Sequence, residues 1–297
     1  MSWRTIILSK NSKISLRMNQ LVVTNEEVTS IPIGEVGIVI IENPNIVMTG
    51  HILNALSDNK ITTILCDQKH NPSTFLHTIY GHHRQSKHLQ AQFNWNEMYK
   101  GRLWQEITKQ KIYNQGRVLF HLEKEGVDEL RELIAGVELH DITNREGHAA
   151  KVYFHRLFGA DFTRGDEETI NWGLNYGYAI LHALITRQIV SKGYLSEIGI
   201  HHKNEYNQFN LASDFIEIFR PIVDYLVFHY VDGYLGKVEK RKIIGMFEQK
   251  VFIRNGAHYL PQAIQIFIDG CFNFLNTGDE KKLYFPDLQL NKFILEE

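Results

Sequence analysis

Cysteine is scarce in this 297-residue chain: only Cys66 and Cys271 are present. No disulfide framework or zinc cluster can be built from two distant thiols, and each is expected to pack as a small apolar side chain in a reducing compartment. Long apolar runs are missing too. The longest aliphatic stretch, residues 36–41, falls far short of the about 20 residues needed to span a bilayer. The N-terminus, MSWRTIILSKNSK, has no basic stretch followed by an apolar segment and a cleavage site. A cytoplasmic location without membrane association is expected. Walker A, dinucleotide-fingerprint, HExxH, CxxC and GxSxG patterns are all absent, which removes the usual support for nucleotide-driven, hydride-transfer, zincin and serine-hydrolase chemistry. There is no internal repeat and no low-complexity segment. Proline is nearly absent beyond residue 93, where Pro221 and Pro261 are expected to mark helix starts or kinks.

What is present is ordinary for a globular protein: 43% hydrophobic and 22% charged residues, in a length that suggests two domains. The first part reads as β. Strand-like runs fall at 3–9, 13–24 (alternating about a turn at Met18-Asn19-Gln20), 29–33, 36–41 and 61–66, with one helix over 45–59 for which Thr49 is a candidate cap. From about residue 93 the apolar period becomes 3.6, giving helices near 94–112, 114–122, 125–135, 144–158, 169–191, 212–230, 237–250 and 258–276. The expected class is α+β: a β-rich domain over 1–75, a linker over 76–92 and a larger all-α domain over 93–297.

A formal net charge of −2 hides strong segregation. Residues 81–120 carry a net +5, residues 121–150 a net −5, and residues 236–254 a net +4. Local basic patches, rather than the total, govern phosphate binding. The strip at 81–88, with Arg84 and Lys87, reads either as a polar linker or as a surface for a phosphate backbone. Lys100 and Arg102 extend the same candidate surface.

The stretch 199–224, GIHHKNEYNQFNLASDFIEIFRPIVD, begins polar and turn-rich and becomes a helix, with Ser213 a candidate N-cap. Asp214 and Glu217 lie three apart and share a helix face. His202 sits upstream, where the chain can fold back toward that face. Two carboxylates and an imidazole suit a divalent cation. On spacing alone the plainer reading also stands, with Asp214 capping, Glu217 solvated and His202 on a surface loop. Glu146 is similarly open. Asn144 can cap a helix whose first turn holds Glu146, where a carboxylate either complements the helix dipole or serves as a ligand. Asn175, Tyr176 and Tyr178 are polar groups on a helix otherwise made for burial. Arg220 is read as structural, pinning a carboxylate.

The run LASDFIEIFRPIVD with GIHH ahead of it, the block NREGHAAKVYFHRLFG at 144–159, and INWGLNYGYAIL at 170–181 together resemble the CRISPR adaptation integrases, in particular their type II branch. The resemblance covers nearly the whole chain in the same motif order. It implies a metal-dependent DNA endonuclease and integrase that inserts spacers by transesterification, with Glu146, His202 and Glu217 as ligands of Mg²⁺ or Mn²⁺ and Asp214 supporting them. Glu217 stands where many members have aspartate. The helix carrying Asn175 and Tyr176 is implied to line the DNA channel. A homodimer built through the N-terminal domains is implied, joined by a small ferredoxin-like adaptation subunit and holding a prespacer duplex against the CRISPR repeat. Two other functions remain open: a structure-selective nuclease on branched DNA, and a non-catalytic DNA-binding scaffold.

Overall fold

The alternating run at 13–24 folds as the hairpin its pattern predicts. In the computed structural model, which describes residues 4–76, 82–288 and 290, β2 (Lys13–Arg17) and β3 (Gln20–Thr24) pair antiparallel with Arg17 opposite Gln20. Met18 and Asn19 take the left-handed conformation, as a two-residue turn matched to strand twist requires. Trp3, at the head of the first strand-like run, Gly81, at the head of the basic strip, and residues 77–80 of the expected linker lie outside the described residues.

The chain divides into two units, residues 1–83 and 84–297. In the first, β1 (Arg4–Leu8), β5 (Val36–Ile41), β7 (Thr62–Cys66) and β8 (Pro72–Phe75) form one sheet in that order, parallel except for the β7–β8 pair. A second sheet runs β4 (Val28–Pro32), β3, β2, β6 (Val47–Met48). Helix α1 (Gly50–Asp58) shares their core, with Ile52 and Leu56 one turn apart among Ile14, Leu21, Val36 and Val39. Burying an aliphatic side chain of this size contributes about 1.5–3 kcal/mol. The helix expected over 45–59 is shorter because 47–48 joins the second sheet, and Thr49 precedes it without a side-chain cap bond.

The second unit is mainly helical. Its first helix, α2 (Gln85–Phe93), corrects the expected linker over 76–92. Gln92 holds it in place, donating to the carbonyls of Leu195 and Ile198 and accepting from the Leu195 amide. The two helices expected at 94–112 and 114–122 are one, α3 (Glu97–His121), since no breaker stands at residue 113. Then come α4 (Val127–Ala135), α5 (Arg145–Phe158) and α6 (Thr169–Ser191). The run expected as one helix over 212–230 is α7 (Asn210–Ile216), a 3₁₀ turn at Glu217–Phe219, and α8 (Arg220–Tyr230), with Pro221 in the first turn of α8. Ser213 therefore lies inside α7 rather than at its cap. The helix expected over 237–250 stops early: α9 (Lys237–Ile244) gives way to a hairpin, β9 (Lys250–Ile253) with β10 (Gly256–Tyr259). Its turn residues Arg254 and Asn255 both have positive φ. Helix α10 (Leu260–Thr277) closes the core, with Phe267 edge-on to Phe215 and Phe219.

Candidate active site

Glu146, Glu217 and the Lys111 ammonium meet in the helical unit. Asn144 caps α5, its side chain accepting from the Gly147 amide at 3.3 Å, while Asp141 accepts from the amides of Arg145 and Glu146 at 2.9 Å each. The first turn of α5 is thereby fixed and Glu146 with it. Glu217 begins the 3₁₀ turn and is 3% exposed. Lys111, on the middle of α3, donates to Glu146 and lies 2.5 Å from Glu217 Oε2, while Arg220 Nη2 stands 3.2 Å from Glu217 Oε1. Burial alone would push the Glu217 carboxyl up, but Arg220 and Lys111 together hold it below the ordinary range. Burial pulls Lys111 down, and the two glutamates outweigh that and raise it. Lys111 is thus a charged group in a low-dielectric place, tolerated because it is paired twice.

His202 and Asp214 form the other half. Asp214 is wholly buried and works as an acceptor for the loop: its Oδ2 takes the amides of Ile200 (2.6 Å) and His201 (3.2 Å), its Oδ1 the amide of His202 (3.0 Å) and His202 Nδ1 (2.7 Å). Three consecutive amides on one carboxylate explain why the GIHH segment turns where it does. Gly199 is required here, since a Cβ would come within 2.5 Å of the His202 carbonyl and 2.7 Å of Asp214 Oδ2. Asn210 closes the loop by donating to the carbonyls of Glu197 and Asn204. Trp104 of α3, fully buried, stacks on His201 with ring centres 4.1 Å apart and meets His202 edge-on. The hydrogen bond to Asp214 raises the affinity of His202 for a proton, whereas burial lowers that of His201. With Nδ1 donating to Asp214, Nε2 is the ring nitrogen left to take a ligand.

The predicted ligands are therefore brought together in part. Glu146 and Glu217 share Lys111, and His202 is close enough to feel both charges. Among the described residues, however, no three His, Cys, Asp or Glu groups are gathered as a cation site, and the Lys111 ammonium contacts both glutamates. The donor chemistry nonetheless fits a hard divalent ion: two carboxylates already facing a positive charge, one of them with a buried Oε2 that has no aligned hydrogen bond, and an imidazole oriented by a carboxylate. Sequence reasoning counted Lys111 only in the net charge of residues 81–120 and passed over it as a site residue. Trp104 and Asp141 were missed as well, since nothing in local spacing distinguishes them from core and surface positions.

The candidate DNA contacts divide. Arg84 and Lys87 are exposed on or beside α2. Lys100 is buried and bonded to Glu97 at 2.8 Å, and Arg102 pairs with Glu106 at 3.3 Å and Glu280 at 3.6 Å. Lys109 and Arg117 are likewise paired, with Glu106 and Asp287. Glu97 and Glu106 are already counted in the +5 of residues 81–120; Glu280 and Asp287, from outside that stretch, offset further charge. Asn175 is exposed and accepts from Arg164 at 3.0 Å; Tyr176 is buried beneath the Lys240 ammonium. Tyr178 donates to the buried Asp224, and Arg220 lies over the Tyr178 ring.

Residues 5–241 match the family described as CRISPR associated protein Cas1. The chain belongs to the Cas1 family. The CRISPR-associated endonuclease Cas1 of Neisseria meningitidis serogroup C (strain 8013) is 39% identical over 299 residues, covering 97% of each chain. Among solved structures, a casposase bound to integration product superposes with a TM-score of 0.74 at 20% identity, over 95% of this chain and 92% of that one. A Cas6-RT-Cas1–Cas2 complex gives 0.69 at 17% identity, over 94% of this chain and 36% of that larger one. At such identities these two establish the Cas1 fold alone. The curated relative spans both units of this Cas1 chain, the β-rich one and the helical one that holds Glu146, His202 and Glu217.

Proposed function

We propose that this chain is a metal-dependent DNA integrase that joins the free 3′-hydroxyl ends of a spacer duplex to the CRISPR repeat. The observation that carries it is the convergence of Glu146 and Glu217, from different elements, on one buried positive charge beside an oriented imidazole. Glu146, Glu217 and His202 Nε2 would hold Mg²⁺ or Mn²⁺, which when bound supplies polarisation of the scissile phosphoryl oxygen and stabilises charge on the entering and leaving oxygens. Asp214 fixes the tautomer and the orientation of His202. Arg220 neutralises part of Glu217 and keeps it ionised. One phosphodiester is exchanged for another: the bond to the entering 3′-oxygen forms as the bond to the repeat's 3′-oxygen breaks, so no nucleotide hydrolysis is needed.

The chain's partners follow from the same reading. Arg84 and Lys87 offer exposed charge for a phosphate backbone, and the casposase relative was solved on integration product. A homodimer and a small ferredoxin-like Cas2-type subunit complete the assembly; a relative occurs in a complex with Cas2. The meningococcal relative, an endonuclease by name, favours a second reading in which water replaces the 3′-hydroxyl and branched DNA is cut. The test is an assay with purified protein, its small partner, a duplex with free 3′ ends and a supercoiled repeat plasmid. Joined strands that vanish in Glu217→Ala support integration, cleaved ends alone support the nuclease, and DNA binding without either product overturns both.

A further inference from the structure

The Lys111 ammonium lies between the two carboxylates to which the proposed reading assigns a metal ion, and the paired charges there balance. Glu146 and Glu217 supply two negative charges; Lys111 and Arg220 supply two positive ones, all within ion-pairing distance. Placing a divalent cation between the same carboxylates with both side-chain cations in place would leave an uncompensated surplus in a buried position, which is costly. An ammonium on a flexible four-carbon stem can leave such a gap, whereas the Arg220 guanidinium, stacked on Tyr178, is held. The Lys111 side chain is 7% exposed and reaches the gap from α3, the helix whose Trp104 packs on the His201–His202 loop.

We propose that Lys111 is a resident counter-ion that keeps the two carboxylates paired in the absence of DNA, and that a DNA phosphate draws it out, opening the gap to a divalent cation. The proposal rests on the metal-dependent reading above. A phosphate entering the site offers the ammonium a new partner, and the surplus positive charge is then compensated by the nucleic acid. Cation and DNA therefore bind with positive coupling, which by linkage is the same whichever binds first.

The test is Mn²⁺ binding, followed by the electron paramagnetic resonance of free Mn²⁺. Full-length wild type, Lys111→Met and Lys111→Arg are each compared with and without a duplex bearing 3′ ends, with Glu217→Gln as the blank. Wild type and Lys111→Arg should bind weakly alone and roughly tenfold or more tightly with DNA, the range of ordinary allosteric couplings. Lys111→Met should bind tightly without DNA and gain little from it. Its melting temperature should also rise more on adding Mn²⁺ than that of wild type, because a ligand stabilises in proportion to its affinity. Equal Mn²⁺ affinity of wild type and Lys111→Met without DNA would overturn the gate and leave the metal site standing. If no variant exceeds the blank even with DNA, the metal reading itself fails and the gate with it. Should Lys111→Met not fold, Lys111→Gln takes its place, and a wild-type Mn²⁺ affinity indifferent to DNA overturns the proposal on its own.

Discussion

Replacing Asp214 with asparagine separates the two duties of that carboxylate. It accepts four hydrogen bonds, two on each oxygen, and asparagine can present only one carbonyl oxygen. With the amide nitrogen at the Oδ2 position, the Ile200 and His201 amides face a donor and two buried bonds are lost, each costing about 1–3 kcal/mol. With it at the Oδ1 position, only the His202 amide is abandoned, provided that His202 reverses its tautomer and accepts through Nδ1. The second arrangement is cheaper and should prevail, at about 1–3 kcal/mol. Its consequence is chemical: the imidazole proton moves to Nε2, which loses the lone pair a cation would take. Urea unfolding should show a lowered midpoint at unchanged slope, nitrogen NMR of the imidazole should report protonated Nε2, and strand joining should fall well beyond the loss of stability. Wild-type stability with the proton still on Nδ1 would refute the assignment of Asp214 as the group that holds this loop.

Burial pushes the Asp224 carboxyl up from 3.8 to about 6, with the Tyr178 hydroxyl opposing. Because the folded state holds the proton more tightly, stability is fully present below pH 3.8 and falls as pH rises to about 6, by about 3 kcal/mol in all; Asp224→Asn should flatten that slope in melting curves taken across this window. Glu146→Ala and Glu217→Ala should each abolish joining and the double variant lose nothing more, since an incomplete site cannot be broken twice, while gel-shift affinity for duplex DNA persists. Charge reversal at Arg84 and Lys87 should reduce the salt dependence of DNA binding by about one contact each, at roughly 0.9 in log K per decade of salt, whereas reversal at Lys100, itself buried and bonded to the exposed Glu97, should lower stability instead. Gly199→Ala should destabilise the loop and, measured by urea unfolding, cost about 1–3 kcal/mol, as crowding against fixed backbone does.

Where local chemistry decides structure, the sequence was readable. Met18-Asn19 announces its turn, Asn144 its cap, and Pro221 and Pro261 the first turns of α8 and α10. The hairpin at 250–259 carried a usable signal in Asn255-Gly256, but its strands are short and the helical period beforehand overrode it. The break at Glu217–Phe219 was not readable, because every residue there tolerates a helix. It arises from tertiary demand: the 3₁₀ turn presents the Ile218 carbonyl to Asn114 of α3 at 2.8 Å. The pairing of His202 with Asp214 could be suspected from the turn-rich loop and the motif order. Lys111 could not, since its neighbours Lys109 and Arg117 look the same in sequence and only the fold turns one of the three inward.

Asn114 also donates to the carbonyl of Pro286, as Gln110 does, and Arg117 pairs with Asp287, whose backbone bridges to Phe252. Helix α3 is thus fastened by residues that leave the ribosome long after it does. During synthesis the helix carrying Lys111 is made early, its partners Glu146 and Glu217 later, and its fastening last. Domains emerging from the N-terminal side fold as they appear, so the β-rich unit can settle while the helical unit still waits for its closing segment. A nascent chain would therefore carry no fully fastened site until residues 286 and 287 have been made.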